Sequence, residues 1–281
     1  MKRAVLVGIN DYSLSECDLT NCVNDIESWS SLLMDRYQFK RGNIRILVNE
    51  RATKEKVLER LTWMVENGND GDTLVFVYSG HGTTFTERDE LGYLDEAKDE
   101  ALKLYGLGTK SLLIDDELNQ IFYNLSSEVK LIVICDCCFS GGMIDLMTRR
   151  TGPENTPRAK YYPLSYDLAH RNDPNSPTRV FGRCLSKADG LGALDDQNYS
   201  RSKSLLIAAC REDEFAAQGS QATGRLSAFS FYAIQVLRSS DEQISAKELI
   251  GLVRQKMADD GYSQTPQLIG RQDFFDRPLF G

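Results

Sequence analysis

Apolar and polar positions alternate in two rhythms along this chain. Short continuous apolar runs, such as Ala4-Val5-Leu6-Val7, Leu74-Val75-Phe76-Val77 and Leu131-Ile132-Val133-Ile134, have the length and character of strands buried on both faces. They predict strands over 3–8, 43–48, 73–78, 130–135 and 204–209. Between them, apolar residues recur at helical spacing. One amphipathic helix is expected from Asn21 to Tyr37, with Val23, Ile26, Leu33 and Met34 inward. A second runs from an N-cap at Thr53 through Glu66 and ends at Asn67-Gly68. A third begins near Asp115 or Asp116, after Ile114, and two more fall around Ser227–Leu237 and Ala246–Met257. Strands alternating with helices predict an α/β sandwich around a mostly parallel sheet, with ligands bound beyond the carboxyl ends of the strands.

Two segments break the rhythm. Residues 87–117 carry ten acidic residues against four basic ones and read as a long loop. Residues 148–203 hold five of the seven prolines and ten Lys/Arg against six Asp/Glu, and read as an exposed linker or activation loop.

Two strand exits carry candidate chemistry. His81 follows the third strand in Tyr78-Ser79-Gly80-His81-Gly82. Cys138 follows the fourth in Asp136-Cys137-Cys138-Phe139-Ser140-Gly141-Gly142. A thiol and an imidazole at the ends of neighbouring strands are what a cysteine nucleophile and its proton-transfer partner require. An isolated cysteine is most often a buried structural residue, and that reading suits Cys135, which continues its apolar strand. It suits Cys138 less, because the strand has already met Asp136. Cys137 sits one position out of the pattern. A lone histidine is most often a satisfied turn residue; the glycines flanking His81 favour a site, whereas His170 lies in the proline-rich linker.

Composition narrows the setting. A net charge of −8 argues against a general nucleic-acid partner. The longest apolar runs fall far short of the roughly 20 residues that span a bilayer, and the start Met1-Lys2-Arg3 leads into a first strand rather than a signal peptide. Seven cysteines without a disulfide framework point to a reducing cytoplasm. Cys135-Asp136-Cys137-Cys138 has no second Cys/His pair at zinc-ligand spacing.

With these residues in view, the chain resembles the caspase-like cysteine peptidases, and the metacaspase (orthocaspase) branch most closely. Ser79-Gly80-His81-Gly82 is similar to the family's catalytic-histidine motif, and Asp136-Cys137-Cys138-Phe139-Ser140-Gly141 to its catalytic-cysteine motif, where His commonly stands in place of Phe139. The separation of 57 positions from His81 to Cys138 is close to the roughly 50 found in caspases. The likeness extends to Val7-Gly8-Ile9-Asn10-Asp11-Tyr12, to Asn21-Cys22-Val23-Asn24-Asp25, to Ala208-Ala209-Cys210-Arg211-Glu212-Asp213-Glu214, to Gln264-Thr265-Pro266-Gln267-Leu268 and to Arg277-Pro278-Leu279-Phe280.

The resemblance implies a caspase-like αβα sandwich forming one catalytic domain over 1–281. Its large-subunit-like part would be 1–147, its linker 148–203 and its small-subunit-like part 204–281. It implies catalysis by His81 and Cys138, with the backbone N–H groups of Gly82 and Cys138 as oxyanion donors and no third triad residue required. Asp25 and Asp136, with Cys22 on the wall, would line an acidic pocket that selects Arg or Lys through charge-assisted hydrogen bonds. Acids near strand ends and helix starts also serve simply as caps. Asp95, Asp115, Asp116 and Asp145 resemble the family's calcium positions and supply the hard oxygen ligands Ca²⁺ takes, although clustered loop acids are commonly solvated surface. The order Gly92-Tyr93-Leu94-Asp95 departs from the pattern, which sets Tyr directly before that Asp. Expected partners are protein or peptide substrates with Arg or Lys at the cut, with no nucleic acid and no membrane, and the chain itself is expected to be a monomer. Autoprocessing is expected somewhere in 148–203, at one of Arg149, Arg150, Arg158, Lys160, Arg171, Arg179, Arg183, Lys187, Arg201 or Lys203. Two alternatives stay open: an inactive caspase-like signalling or scaffold module, and a caspase-like peptidase of non-basic specificity.

Overall fold

The computed structural model describes residues 1–66, 68–85, 99–123, 125–138, 159–162, 204–211, 214–220 and 222–281. In chain order it contains β1 (Lys2–Gly8), α1 (Cys22–Asp35), β2 (Ile44–Val48), α2 (Lys54–Val65), β3 (Thr73–Ser79), β4 (Gly82–Phe85), β5 (Asp99–Lys103), β6 (Leu112–Ile114), α3 (Asp115–Phe122), β7 (Lys130–Asp136), β8 (Ser204–Ala208), α4 (Ala228–Ser239), α5 (Ala246–Asp259) and β9 (Gln267–Gly270). The five strands expected from the apolar runs are all present, each with one end shifted by a single residue.

A six-stranded sheet runs in the order β2-β1-β3-β7-β8-β9. Every pairing is parallel except the last, where β9 closes the edge antiparallel to β8. Continuous apolar runs suit these strands because successive side chains feed opposite layers. Ala4, Leu6, Val75, Val77, Ile132 and Ile134 pack with Trp29 and Leu33 of α1, Phe229 of α4 and Leu249 of α5. Val5, Val7, Leu74, Phe76, Leu131 and Val133 pack with Val57, Leu61 and Met64 of α2 and with Phe122 of α3. The result is the expected α/β layering, a mostly parallel sheet with helices on both faces.

The structure corrects the reading of 87–117 as a loop. Residues 99–103 and 112–114 are strands, and with β4 they make a small antiparallel sheet, β4-β5-β6. Residues 86–98 lie outside the described residues.

One close contact aims α1 at the functional end of the sheet. A Cβ on Gly8 would fall 2.7 Å from the Cys22 carbonyl, so only glycine lets the start of α1 approach the end of β1 this closely. Asp25, in the first turn of α1, is thereby carried over the carboxyl ends of the strands.

Candidate active site

The strand register sets Gly8 beside Ser79 and Ser79 beside Asp136, so β1, β3 and β7 end in one line. His81 and Cys138 each follow two residues later. Both are buried, Cys138 completely.

The imidazole is fixed from two sides. The His81 N–H donates to the Tyr12 hydroxyl at 2.7 Å, and the ring leans on Tyr12 with centroids 4.8 Å apart. Nε2 lies 2.7 Å from the Cys17 carbonyl. A carbonyl only accepts, so Nε2 carries the proton and Nδ1 presents its lone pair to the cleft. Nδ1 is buried and makes no well-formed hydrogen bond. Burial pushes the His81 pKa down to about 4, against the carbonyls of Cys17 and Lys160, while the charges of Lys160 and Lys103 reinforce the push. The ring is therefore a neutral base at pH 7. Among the described residues the Cys17 carbonyl, not a side chain, plays the orienting part; no sequence pattern marks a backbone carbonyl, so reading the sequence missed it.

The Cys138 sulfur accepts the Ala216 N–H at 2.9 Å and lies 3.6 Å from the Ala216 carbonyl. No hydrogen bond joins it to His81. Cys137 is buried too, and burial together with the neighbouring thiols drives its pKa well up, which leaves it a poor nucleophile. Cys22, Cys135, Cys137, Cys138 and Cys210 are free thiols.

The decisive feature comes from the segment read as an exposed linker. Residues 159–162 are not exposed: Lys160 is 0% accessible and Tyr162 is 1%. This segment lies through the cleft as an added strand. Ala159 bridges Ala217 antiparallel, and the Lys160 N–H donates to the Ala216 carbonyl at 3.1 Å. The Lys160 carbonyl then accepts two N–H groups, from Gly82 at 3.1 Å and from Cys138 at 3.2 Å. These are the two expected oxyanion donors, converging on one peptide oxygen. Beyond it, Tyr161 bridges Gly82, and the Tyr162 N–H donates to the Gly82 carbonyl at 3.0 Å.

The Lys160 side chain enters a pocket formed by the residues the sequence nominated. Its Nζ lies 2.8 Å from Asp136 Oδ1 and 3.5 Å from Asp25 Oδ2, with all three side chains inaccessible. It also donates to Ser79 Oγ at 2.9 Å and to the Asp136 backbone carbonyl at 3.0 Å. The carboxylates are held from behind. Asp136 Oδ2 accepts the N–H and hydroxyl of Ser230, at 3.2 and 2.7 Å, and Trp29 Nε1 donates to that hydroxyl. Asp25 accepts the Ser227 N–H at 2.8 Å and the hydroxyls of Ser227 and Ser79 at 2.5 and 2.7 Å. Burial pushes the Asp25 carboxyl up while Lys160 pulls it back. Burial likewise opposes the Lys160 cation, but Asp136, Cys22 and Asp25 outweigh it and hold the ammonium charged. Cys22 stands beside this group, its pKa raised to about 12 by burial against the pull of Lys160. Asp25 and Asp136 thus do far more than cap.

Of the four acids expected to hold calcium, two fall within the described residues. Asp115 and Asp116 open α3; Asp95 and Asp145 lie outside the described residues, as does His170. Among the described residues no group of three or more His, Cys, Asp or Glu is placed to hold a metal. Reading the sequence also missed Ser79, Ser227 and Ser230. Only Ser79 carried a signal, its place beside Gly80-His81.

Comparison with known proteins bears on the family and the fold. The model of the metacaspase peptidase C14 domain matches residues 2–147. Metacaspase-1 of Schizosaccharomyces pombe is 29% identical over 310 residues, covering 95% of this chain and 66% of that protein. Metacaspase-1A of Aspergillus oryzae is 27% identical over 301 residues, covering 100% of this chain and 71% of that protein. The chain thus spans about two-thirds of the length of these fungal relatives. Among solved structures, protein GSU0716 from Geobacter sulfurreducens superposes with a TM-score of 0.68 at 20% identity, covering 99% of this chain and 98% of that one. Caspase-1 from Spodoptera frugiperda superposes at 0.55 with 13% identity, covering 100% and 89%. At these identities the two structures show the fold alone, and the fold they show is caspase-like.

Proposed function

The chain belongs to the metacaspase family, and on that premise we propose that it is a calcium-activated cysteine endopeptidase that cuts after Lys or Arg and whose first substrate is its own Lys160–Tyr161 bond. The family's members are cysteine endopeptidases. The observation that carries the finer reading is the seating of Lys160: its ammonium lies between Asp25 and Asp136, and its carbonyl lies on the N–H groups of Gly82 and Cys138. A basic side chain in an acidic pocket and a peptide carbonyl between two N–H donors together describe a substrate poised for acyl transfer.

The chemistry follows from these positions. Turning Cys138 about its Cα–Cβ bond releases the sulfur from Ala216. The thiol proton passes to His81 Nδ1, and the thiolate attacks the Lys160 carbonyl carbon. Gly82 and Cys138 hold the oxyanion as charge grows on the oxygen. As the tetrahedral adduct collapses, the Lys160–Tyr161 C–N bond breaks and the Nδ1 proton goes to the Tyr161 nitrogen. The neutral imidazole then takes a proton from water, whose hydroxide oxygen attacks the thioester. Collapse releases the Lys160 carboxylate, and the proton returns to the sulfur. Departure of the new end empties the pocket for Lys or Arg from other chains, so the uncut protein is a zymogen.

Calcium enters as an activator through Asp95, Asp115, Asp116 and Asp145, and no step of the chemistry runs through it. Fluorogenic peptides ending in Arg, Lys, Asp or Leu, assayed with and without calcium, test the reading. Turnover confined to Arg and Lys, and absent in Cys138→Ala, is expected. Turnover of the Asp or Leu peptides would replace basic specificity, and no turnover of any peptide would favour a scaffold module.

A further inference from the structure

The docked segment shows more than the residue before the cut. Gly82 grips the peptide on both sides of the Lys160–Tyr161 bond, giving its N–H to the Lys160 carbonyl and its carbonyl to the Tyr162 N–H. That double contact fixes the register, so the second residue after the cut always arrives at one place. There the Tyr162 ring is enclosed. It meets the His81 ring edge-on with centroids 6.1 Å apart and the Tyr12 ring at 6.4 Å. The Lys103 Nζ lies 4.7 Å from its centroid. Lys103 is itself buried and pinned, donating to the Gly106 carbonyl at 2.6 Å and to the Ser111 hydroxyl. A fixed cation against an aromatic face attracts the ring quadrupole, and the attraction grows where water is excluded.

We propose that this slot is a leaving-side specificity subsite that selects an aromatic side chain two residues after the cut, with Lys103, Tyr12 and the edge of His81 as its walls. The inference rests on Lys160–Tyr161 being a substrate bond, but it adds a second requirement that the acidic pocket does not contain. The preferred substrate is then a segment with Lys or Arg, any one residue, and Tyr, Phe or Trp. A second cation at that position would meet Lys103 and be rejected. Because the slot touches His81, filling it also walls the imidazole from water on the leaving-group side. An aromatic there should therefore raise the rate of acylation as well as the affinity.

The test uses the full, self-processed chain and internally quenched peptides that share Lys before the cut and Tyr after it. The next residue is varied through Tyr, Phe, Leu, Ala, Glu and Lys. The expected kcat/KM is at least tenfold higher for Tyr and Phe than for Ala, with Leu between and Lys lowest. Rates equal within threefold, or Glu fastest, would overturn the proposal while leaving cleavage after Lys intact. If no peptide is cut after Lys, the underlying reading falls and this one with it. In the intact chain, Tyr162→Phe should self-cleave as wild type does and Tyr162→Ala at least tenfold more slowly. Tyr162 is buried in the core, so thermal unfolding of both variants serves as the control for folding; equal rates for two variants that unfold as wild type does would also overturn the proposal.

Discussion

Replacing Asp136 with Asn tests the pocket at its strongest contact. The Asp136 carboxylate lies 2.8 Å from the Lys160 ammonium, and both side chains are 0% accessible. Asn preserves the shape and can still accept from Ser230, but it removes the charge that compensates a desolvated cation. Breaking a buried pair by removing one partner costs about 3–5 kcal/mol, which is roughly 100-fold to several thousand-fold in the seating of Lys160 and hence in the rate of self-cleavage. Asp25→Asn should be milder. Its carboxylate is 3.5 Å from the ammonium and already shares its charge among the Ser227 N–H and two hydroxyls. At an effective dielectric near 20, the step from 2.8 to 3.5 Å weakens the attraction by about 1 kcal/mol, a five- to tenfold smaller penalty. The assay follows loss of the intact chain by mass spectrometry, with thermal unfolding as a control for folding. An Asp136→Asn protein that self-cleaves within threefold of wild type, or an Asp25→Asn protein that is the slower of the two, would refute the reasoning.

Other expectations follow from the same geometry. In Gly82→Ala the new methyl collides with the Cys138 carbonyl and displaces an oxyanion donor; self-cleavage should fall by about 100-fold or more with the fold retained by circular dichroism. NMR titration of a Cys138→Ala chain should find His81 protonating near pH 4, because the seated segment buries the ring and sets Lys160 beside it. Adding Lys160→Ala should move that midpoint upward, toward the ordinary histidine value of about 6.5; an unmoved midpoint would show that the segment does not govern the ring. After thorough chelation, added calcium should raise self-cleavage at least tenfold, and Asp115→Asn with Asp116→Asn should blunt the response; a flat titration would remove calcium from the account.

The sheet was legible because a strand buried on both faces must be an unbroken apolar run. The positions of His81 and Cys138 were legible because each stands four residues after the last apolar residue of its run. Other elements had no such mark. In β5, Asp99, Glu100 and Lys103 interrupt any apolar pattern, and the Gly106 carbonyl and Ser111 receive the buried Lys103 ammonium. In β9 all four residues are half-buried, so no alternation shows. The serines behind the carboxylates come from α1-distant segments and meet only in the fold. Lys160 stood as one of ten linker cations. Its distinguishing signal was the pair Tyr161-Tyr162 directly after it, two large aromatic groups that a solvated loop would have had to expose.

The central claim, that the chain presents Lys160 to its own thiol, has a direct measurement. Purified full-length protein incubated with calcium, then resolved by intact-mass and N-terminal analysis, should yield one fragment ending at Lys160 and another beginning at Tyr161, and Cys138→Ala should yield neither. Cleavage elsewhere with the Lys160–Tyr161 bond intact, or cleavage there in Cys138→Ala, would contradict it.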